Sequence, residues 1–214
     1  MFFIFFLVTA IILFGVLVAT AYLTFLVRHS NHSTKHKEKK HEVKTLVVLG
    51  SGGHTTEMLT LVSELGPEYK NRMYVVAETD KMSESKVRNL EENAKIEKIP
   101  RSREVGQSYF SSVFSTIYAI FYAFEVVYKN RPDLVLLNGP GTCIPIAFAA
   151  AFFDLIRLSD TTIIYEESIC RVEKLSMSGA ILYYSGLIDD VLVQWPVLKT
   201  KYPRCTYIGD LKDE

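Results

Sequence analysis

The 214 residues carry 24 basic and 24 acidic side chains, and this zero formal charge excludes a strongly basic nucleic-acid binder. The balance hides a segregation: residues 1–27 are uncharged, 28–44 hold six basic and two acidic groups (net +4), and the remaining 170 carry −4. Cys143, Cys170 and Cys205 are scattered with no C-x-x-C pair, so neither a disulfide framework nor a zinc site follows, and buried thiols in a reducing compartment are expected.

The apolar leader 1–27, read as a helix at ~1.5 Å per residue, runs about 40 Å and can cross a hydrocarbon core of about 30 Å. A cleaved signal peptide competes, because Ala19-Thr20-Ala21 resembles a cleavage site. Against it, no basic residue precedes the run, which continues past that site to Val27. The positive charges that follow place the body in the cytosol, with 1–27 as an uncleaved transmembrane anchor. Residues 28–44 read as a solvated basic linker beside acidic head groups; their four histidines (His29, His32, His36, His41) are spacer residues rather than metal ligands.

From Thr45 to Glu214 one domain is expected. Strands are predicted over 45–49, 73–78, 95–99, 134–137, 161–166, 191–194 and 206–208. Helices are predicted over 55–65, 83–92, 109–129, 143–157, 178–188 and 197–202. LVVL, LVLL and TIIY are continuous apolar runs, as in strands covered on both faces. The alternation predicts an α/β, doubly wound, Rossmann-like parallel sheet. Residues 109–128 are nearly long enough to span a bilayer. Ser108, Ser111, Ser112 and Ser115 give that helix a small polar face and Glu125 adds a charge, so it reads as packed or membrane-grazing.

Ligands of such a sheet bind beyond the carboxyl ends of its strands. Two glycine-rich turns fall there. Gly50-Ser51-Gly52-Gly53-His54-Thr55 follows the first strand and leads into a helix, an arrangement suited to a diphosphate. A P-loop would need Lys-Ser/Thr where His54-Thr55 stands, and a dinucleotide loop would need a third glycine at Thr55; with Glu78 as a ribose acid, an oxidoreductase is a weak alternative. Asn138-Gly139-Pro140-Gly141-Thr142 reads as a second anion or hydroxyl cradle. Either turn can also be an ordinary loop. Glu166, Glu167 and Ser168 can bind sugar hydroxyls or cap the next turn, and Arg171 can reach a phosphate or pair with Glu173. His54, the one histidine of the body, is the candidate general base, with substrate binding without proton transfer or a structural role as the alternatives. No metal site is visible.

The motifs VVLGSGGHTTEM, LNGPGTCIP, ESICRVEKLSMSG and VQWPVLKTKYP with YIG, behind an N-terminal anchor, identify a resemblance over essentially the whole chain. It is similar to the membrane subunits of the endoplasmic-reticulum transferase that adds the second N-acetylglucosamine to dolichol-diphosphate. The resemblance implies the N-terminal half of a GT-B glycosyltransferase, and the Ser51–His54 loop is similar to the TGGH loop of the bacterial enzyme that glycosylates a lipid-linked cell-wall precursor. It also implies a separate cytosolic chain that binds UDP-GlcNAc, no cofactor, and an association with the enzyme of the first dolichol-linked sugar step. The location it implies is the endoplasmic-reticulum membrane, with which the nuclear envelope is continuous. On this reading 45–214 hold the lipid-linked acceptor, and Trp195, Tyr202, Tyr207, Ile208 and Leu211 form the partner interface, the competing reading being that Trp195 and the last strand only complete the domain's own sheet. A pure membrane scaffold with vestigial glycine turns is the competing function.

Overall fold

The computed structural model describes residues 42–103 and 106–209. The expected anchor over 1–27, nearly all of the linker and Leu211 lie outside the described residues.

Seven strands form one sheet: β1 (Thr45–Val48), β2 (Arg72–Ala77), β3 (Lys95–Ile99), β4 (Leu134–Asn138), β5 (Thr162–Glu166), β6 (Asp190–Val193) and β7 (Thr206–Tyr207). Every pairing is parallel, and the order is β3-β2-β1-β4-β5-β6-β7. The helices are α1 (Gly53–Ser63), α2 (Lys81–Leu90), α3 (Tyr109–Asn130), α4 (Cys143–Leu155), α5 (Met177–Ser185) and α6 (Pro196–Lys201). A 3-10 turn over Pro67–Tyr69, absent from the sequence expectation, joins α1 to β2.

Alternation within β1 shows the double winding. Leu46 and Val48 pack with α3, α4, α5 and α6, while Val47 and Leu49 pack with Met58 and Val62 of α1 and Val87 of α2. Both faces are therefore covered, as the continuous apolar strands require. Helix boundaries follow local chemistry. Asp80, Ser108 and Ser176 cap α2, α3 and α5 by accepting from Ser83 N, Ser111 N and Gly179 N. Gly186 (φ +68°) ends α5 in the left-handed region, short of the residue 188 expected from pattern.

α3 is the one described helix long and apolar enough to cross a membrane by length and composition. Here one side of it is packed. Ala123, Val126 and Val127 are buried against the sheet, and Phe124 meets Phe148, Phe152 and Phe153 of α4 edge-on. The serine face seats the loop before it: Ser115 Oγ donates to Ser102 O at 2.6 Å. The other side leaves Phe114, Ile117 and Phe121 exposed. Cys143 and Cys205 are buried, whereas Cys170 is exposed because it sits on the loop after β5, so the expectation of three buried thiols holds for two.

Candidate functional site

The strand order reverses between β1 and β4, so the sheet's switch point lies between the two glycine turns. The turns interlock. A Cβ on Gly50 would stand 2.7 Å from Asn138 O, and one on Gly139 (φ +81°) would stand 2.9 Å from His54 Cγ. These glycines let the two loops touch. Gly52 (φ +70°) and Gly53 instead face open space. Neither Gly52, before α1, nor Thr142, before α4, makes a side-chain cap, so both helix starts leave N–H groups free toward this edge.

Thr55 and Thr142 brace the loops from beneath. Both are buried; Thr55 Oγ1 donates to Gly50 O and meets Ser83 Oγ at 2.6 Å, and Thr142 Oγ1 donates to Leu49 O at 3.1 Å. Ser51, Pro140, Gly141 and Thr142 line a cavity of about 230 Å³ together with Asp80, Arg101 and Arg103. Arg101 approaches Asp80 at 3.7 Å, and its buried Nε has no partner.

His54 occupies the second position of α1, at the mouth of the loops, with its side chain 30% exposed. Its Nδ1 lies 3.3 Å from Glu57 Oε2, one helical turn on. Ser168 Oγ donates to Glu57 Oε1 at 2.8 Å, and Asn138 Nδ2 reaches Glu57 Oε2 at 3.4 Å. Asn138 Nδ2 also donates to Glu166 Oε2 at 2.8 Å, and Gln194 Nε2 approaches Glu166 Oε1 at 3.5 Å. The hydrogen bond to Glu57 raises the imidazole pKa, although burial opposes it. Burial also resists ionisation of Glu57, but the bonds from His54 and Ser168 prevail and hold its carboxyl below the ordinary value. Burial pushes Glu166 up to about 7.

The structure thus gathers Ser51, Gly52, Gly53, His54, Gly139 and Gly141 at one edge. It places Asn138 and Glu166 inside, bonded to each other instead of open to solvent. Arg171 is exposed on the turn after β5, where its N–H donates to Ser168 O. Glu167 caps the approach to α5 by accepting from Ser168 N and Ser176 N. Sequence reasoning missed Glu57, Arg101, Arg103 and Gln194. Glu57 carried a legible signal, since it stands three residues after His54 on a predicted helix; the other three converge only through the fold. Trp195 and Tyr202 pack partly against the domain's own core, and Trp195 Nε1 donates to Ile169 O at 2.6 Å. Tyr207 is exposed on the edge strand, and Ile208 N donates to Val193 O at 3.0 Å.

A parallel sheet with this order and paired glycine turns at its switch point has the doubly wound fold found in one half of a GT-B glycosyltransferase. MurG of Acinetobacter baumannii shares the fold, with a TM-score of 0.57 at 17% identity, covering 80% of this chain and 46% of that one. The family described as "Oligosaccharide biosynthesis protein Alg14 like" matches residues 45–211, and the chain belongs to it. The UDP-N-acetylglucosamine transferase subunit ALG14 of Mus musculus is 46% identical, covering 81% of this chain and 85% of its own. The subunit of the same name from Homo sapiens is 46% identical over 79% and 83%, and that of Candida albicans 38% over 92% of each.

Proposed function

We propose that this chain is the membrane-anchored, acceptor-side subunit of a two-chain UDP-GlcNAc transferase that adds the second GlcNAc to dolichol-diphosphate-GlcNAc at the cytosolic face of the endoplasmic reticulum. The carrying observation is the convergence of two interlocked glycine turns on a partly exposed His54 at the switch point. The names of the relatives, which are transferase subunits, support it.

On this reading the N–H groups at the starts of α1 and α4, with Arg101 and Arg103, hold the acceptor's diphosphate. Ser51, Gly52, Gly53 and Gly141 let it approach. The acceptor hydroxyl attacks the anomeric carbon of the donor sugar with inversion. Its proton passes to His54 Nε2, and the sugar–phosphate electron pair leaves with UDP. The donor is held by the catalytic partner chain, which this subunit recruits through Trp195, Tyr202, Tyr207, Ile208 and Leu211. Its apolar leader over 1–27 anchors it. The outward face of α3 lies against the bilayer, which brings the site to the lipid head group. The enzyme of the first dolichol-linked step associates with it at the same membrane.

The test is co-purification of the full chain with its catalytic partner, followed by transfer from UDP-GlcNAc to a lipid-diphosphate-GlcNAc. His54→Ala should keep the complex and lower turnover by about 10²–10⁴-fold. A loss below about tenfold in an intact complex would reject the base and leave a scaffold.

A further inference from the structure

We infer that Glu57 is a positioning residue for His54, locking the imidazole with Nδ1–H turned inward and Nε2 presented to the acceptor hydroxyl. This rests on the base role of His54 proposed above.

The geometry singles out this carboxylate. A histidine can accept a proton at one nitrogen only while the other nitrogen holds one, and a carboxylate 3.3 Å from Nδ1 stabilises that tautomer. It also stabilises the imidazolium formed when Nε2 takes up the proton. Glu57 is itself fixed from two other strand ends, by Asn138 at the end of β4 and by Ser168 after β5. An ordinary surface glutamate at i+3 on a helix would be bonded by neither. Two long-range hydrogen bonds leave this one little freedom to swing from the ring.

The surrounding charges agree. The groups facing His54 are Glu57 on α1 and Glu166 and Glu167 at the end of β5, with Lys86 of α2 behind the loop on Gly52 O and Thr56 Oγ1. Glu167 is spent on the backbone N–H groups of Ser168 and Ser176. Glu166 resists ionisation because of burial. The buried Gln194 Oε1 has no hydrogen-bond partner, and half a turn of that amide would set it opposite a protonated Glu166 Oε1. Glu166 is bonded to Asn138 and Gln194 instead of the ring, so the carboxylate in contact with the imidazole is Glu57.

The experiment measures the transfer rate against pH for the full chain in complex with its catalytic partner, using UDP-GlcNAc and a lipid-diphosphate-GlcNAc. His54→Ala, Glu57→Gln and Ser168→Ala are compared with the parent. Glu57 raises the imidazole pKa and the base works unprotonated, so Glu57→Gln should move the acid limb to lower pH. It should also cut kcat about 10²-fold with the acceptor KM within a few-fold of the parent. Ser168→Ala, which frees one carboxylate oxygen, should give a smaller loss in the same direction. Peptide-resolved labelling of His54 by diethyl pyrocarbonate across pH reads the same shift without turnover. If His54→Ala is inactive while Glu57→Gln leaves both kcat and the acid limb in place, Glu57 has no positioning role. A kcat loss with an unmoved limb and unmoved labelling profile reduces Glu57 to a fold contact and equally overturns the proposal. Normal turnover in His54→Ala removes the base reading and this role with it.

Discussion

Gly50 and Gly139 meet at the point where the two loops must touch, while Gly52 and Gly53 look into open space. The four glycines of one site should therefore fail differently. Gly139→Ala forces both a left-handed φ on a side chain and a clash with the His54 ring, and should destabilise the protein by about 1–3 kcal/mol. Gly53→Ala adds a methyl with nothing within 4 Å and should leave the melting temperature unchanged while weakening acceptor binding. Thermal melts in detergent beside acceptor KM values check the pair. Glu166 makes a second prediction. Its folded pKa near 7 exceeds the ordinary 4.5, so between those values the folded state holds the extra proton and stability falls as pH rises. The raised pKa values of Glu167 and His54 act with the same sign. The lowered value of Glu57 opposes them, its contribution being lost in acid. Glu166→Gln should therefore stabilise the chain at pH 8 by as much as about 3 kcal/mol and by little at pH 5, as melts across pH would show.

Among the elements, α3 shows how a single stretch serves two environments. Its sequence is apolar nearly all round, and mean hydropathy alone does not distinguish a span from a packed helix. The serines turned the sequence reading towards a packed or membrane-grazing helix, and in the structure Ser115 seats a loop by donating to Ser102 O. Alanines on α4 (Ala147, Ala149, Ala150 and Ala151, all buried) make that helix slim where it packs on the sheet and α3. What remains is an exposed outward row, Phe114, Ile117 and Phe121. Replacing Phe114 and Phe121 by Glu should leave folding intact and lower vesicle binding of a chain lacking residues 1–27 by at least tenfold, near the worth of two buried aromatic side chains. Flotation with neutral and acidic vesicles measures it, and unchanged binding would dissociate α3 from the membrane. Strand positions were legible to within a residue or two because continuous apolar runs leave few options. Helix ends were less so, since caps such as Asp80 and Ser176 act through geometry that periodicity does not carry.

At the scale of the whole molecule, Trp195 and Tyr202 are partly consumed by the domain's own core, whereas Tyr207 stays open on the edge strand β7. An edge strand with an exposed aromatic is an apt place for a second chain to pair. Removing Leu211–Glu214 should keep the fold and membrane association but abolish co-purification of the catalytic chain. Full recovery of the partner would move the interface elsewhere. The sequence by itself determined the fold class, the approximate extent of every strand and the two glycine turns at the carboxyl edge, because these depend on local hydropathy and on residues with special backbone freedom. It also singled out His54, the one histidine between Thr45 and Glu214. Only the tertiary structure decided that the two turns flank one switch point and interlock, since strand order is not written in strand sequence. The same holds for the partners that fix the carboxylate beside His54. Glu57, Asn138, Ser168 and Glu166 lie up to 111 residues apart along the chain, and the parallel sheet alone brings them within hydrogen-bonding distance.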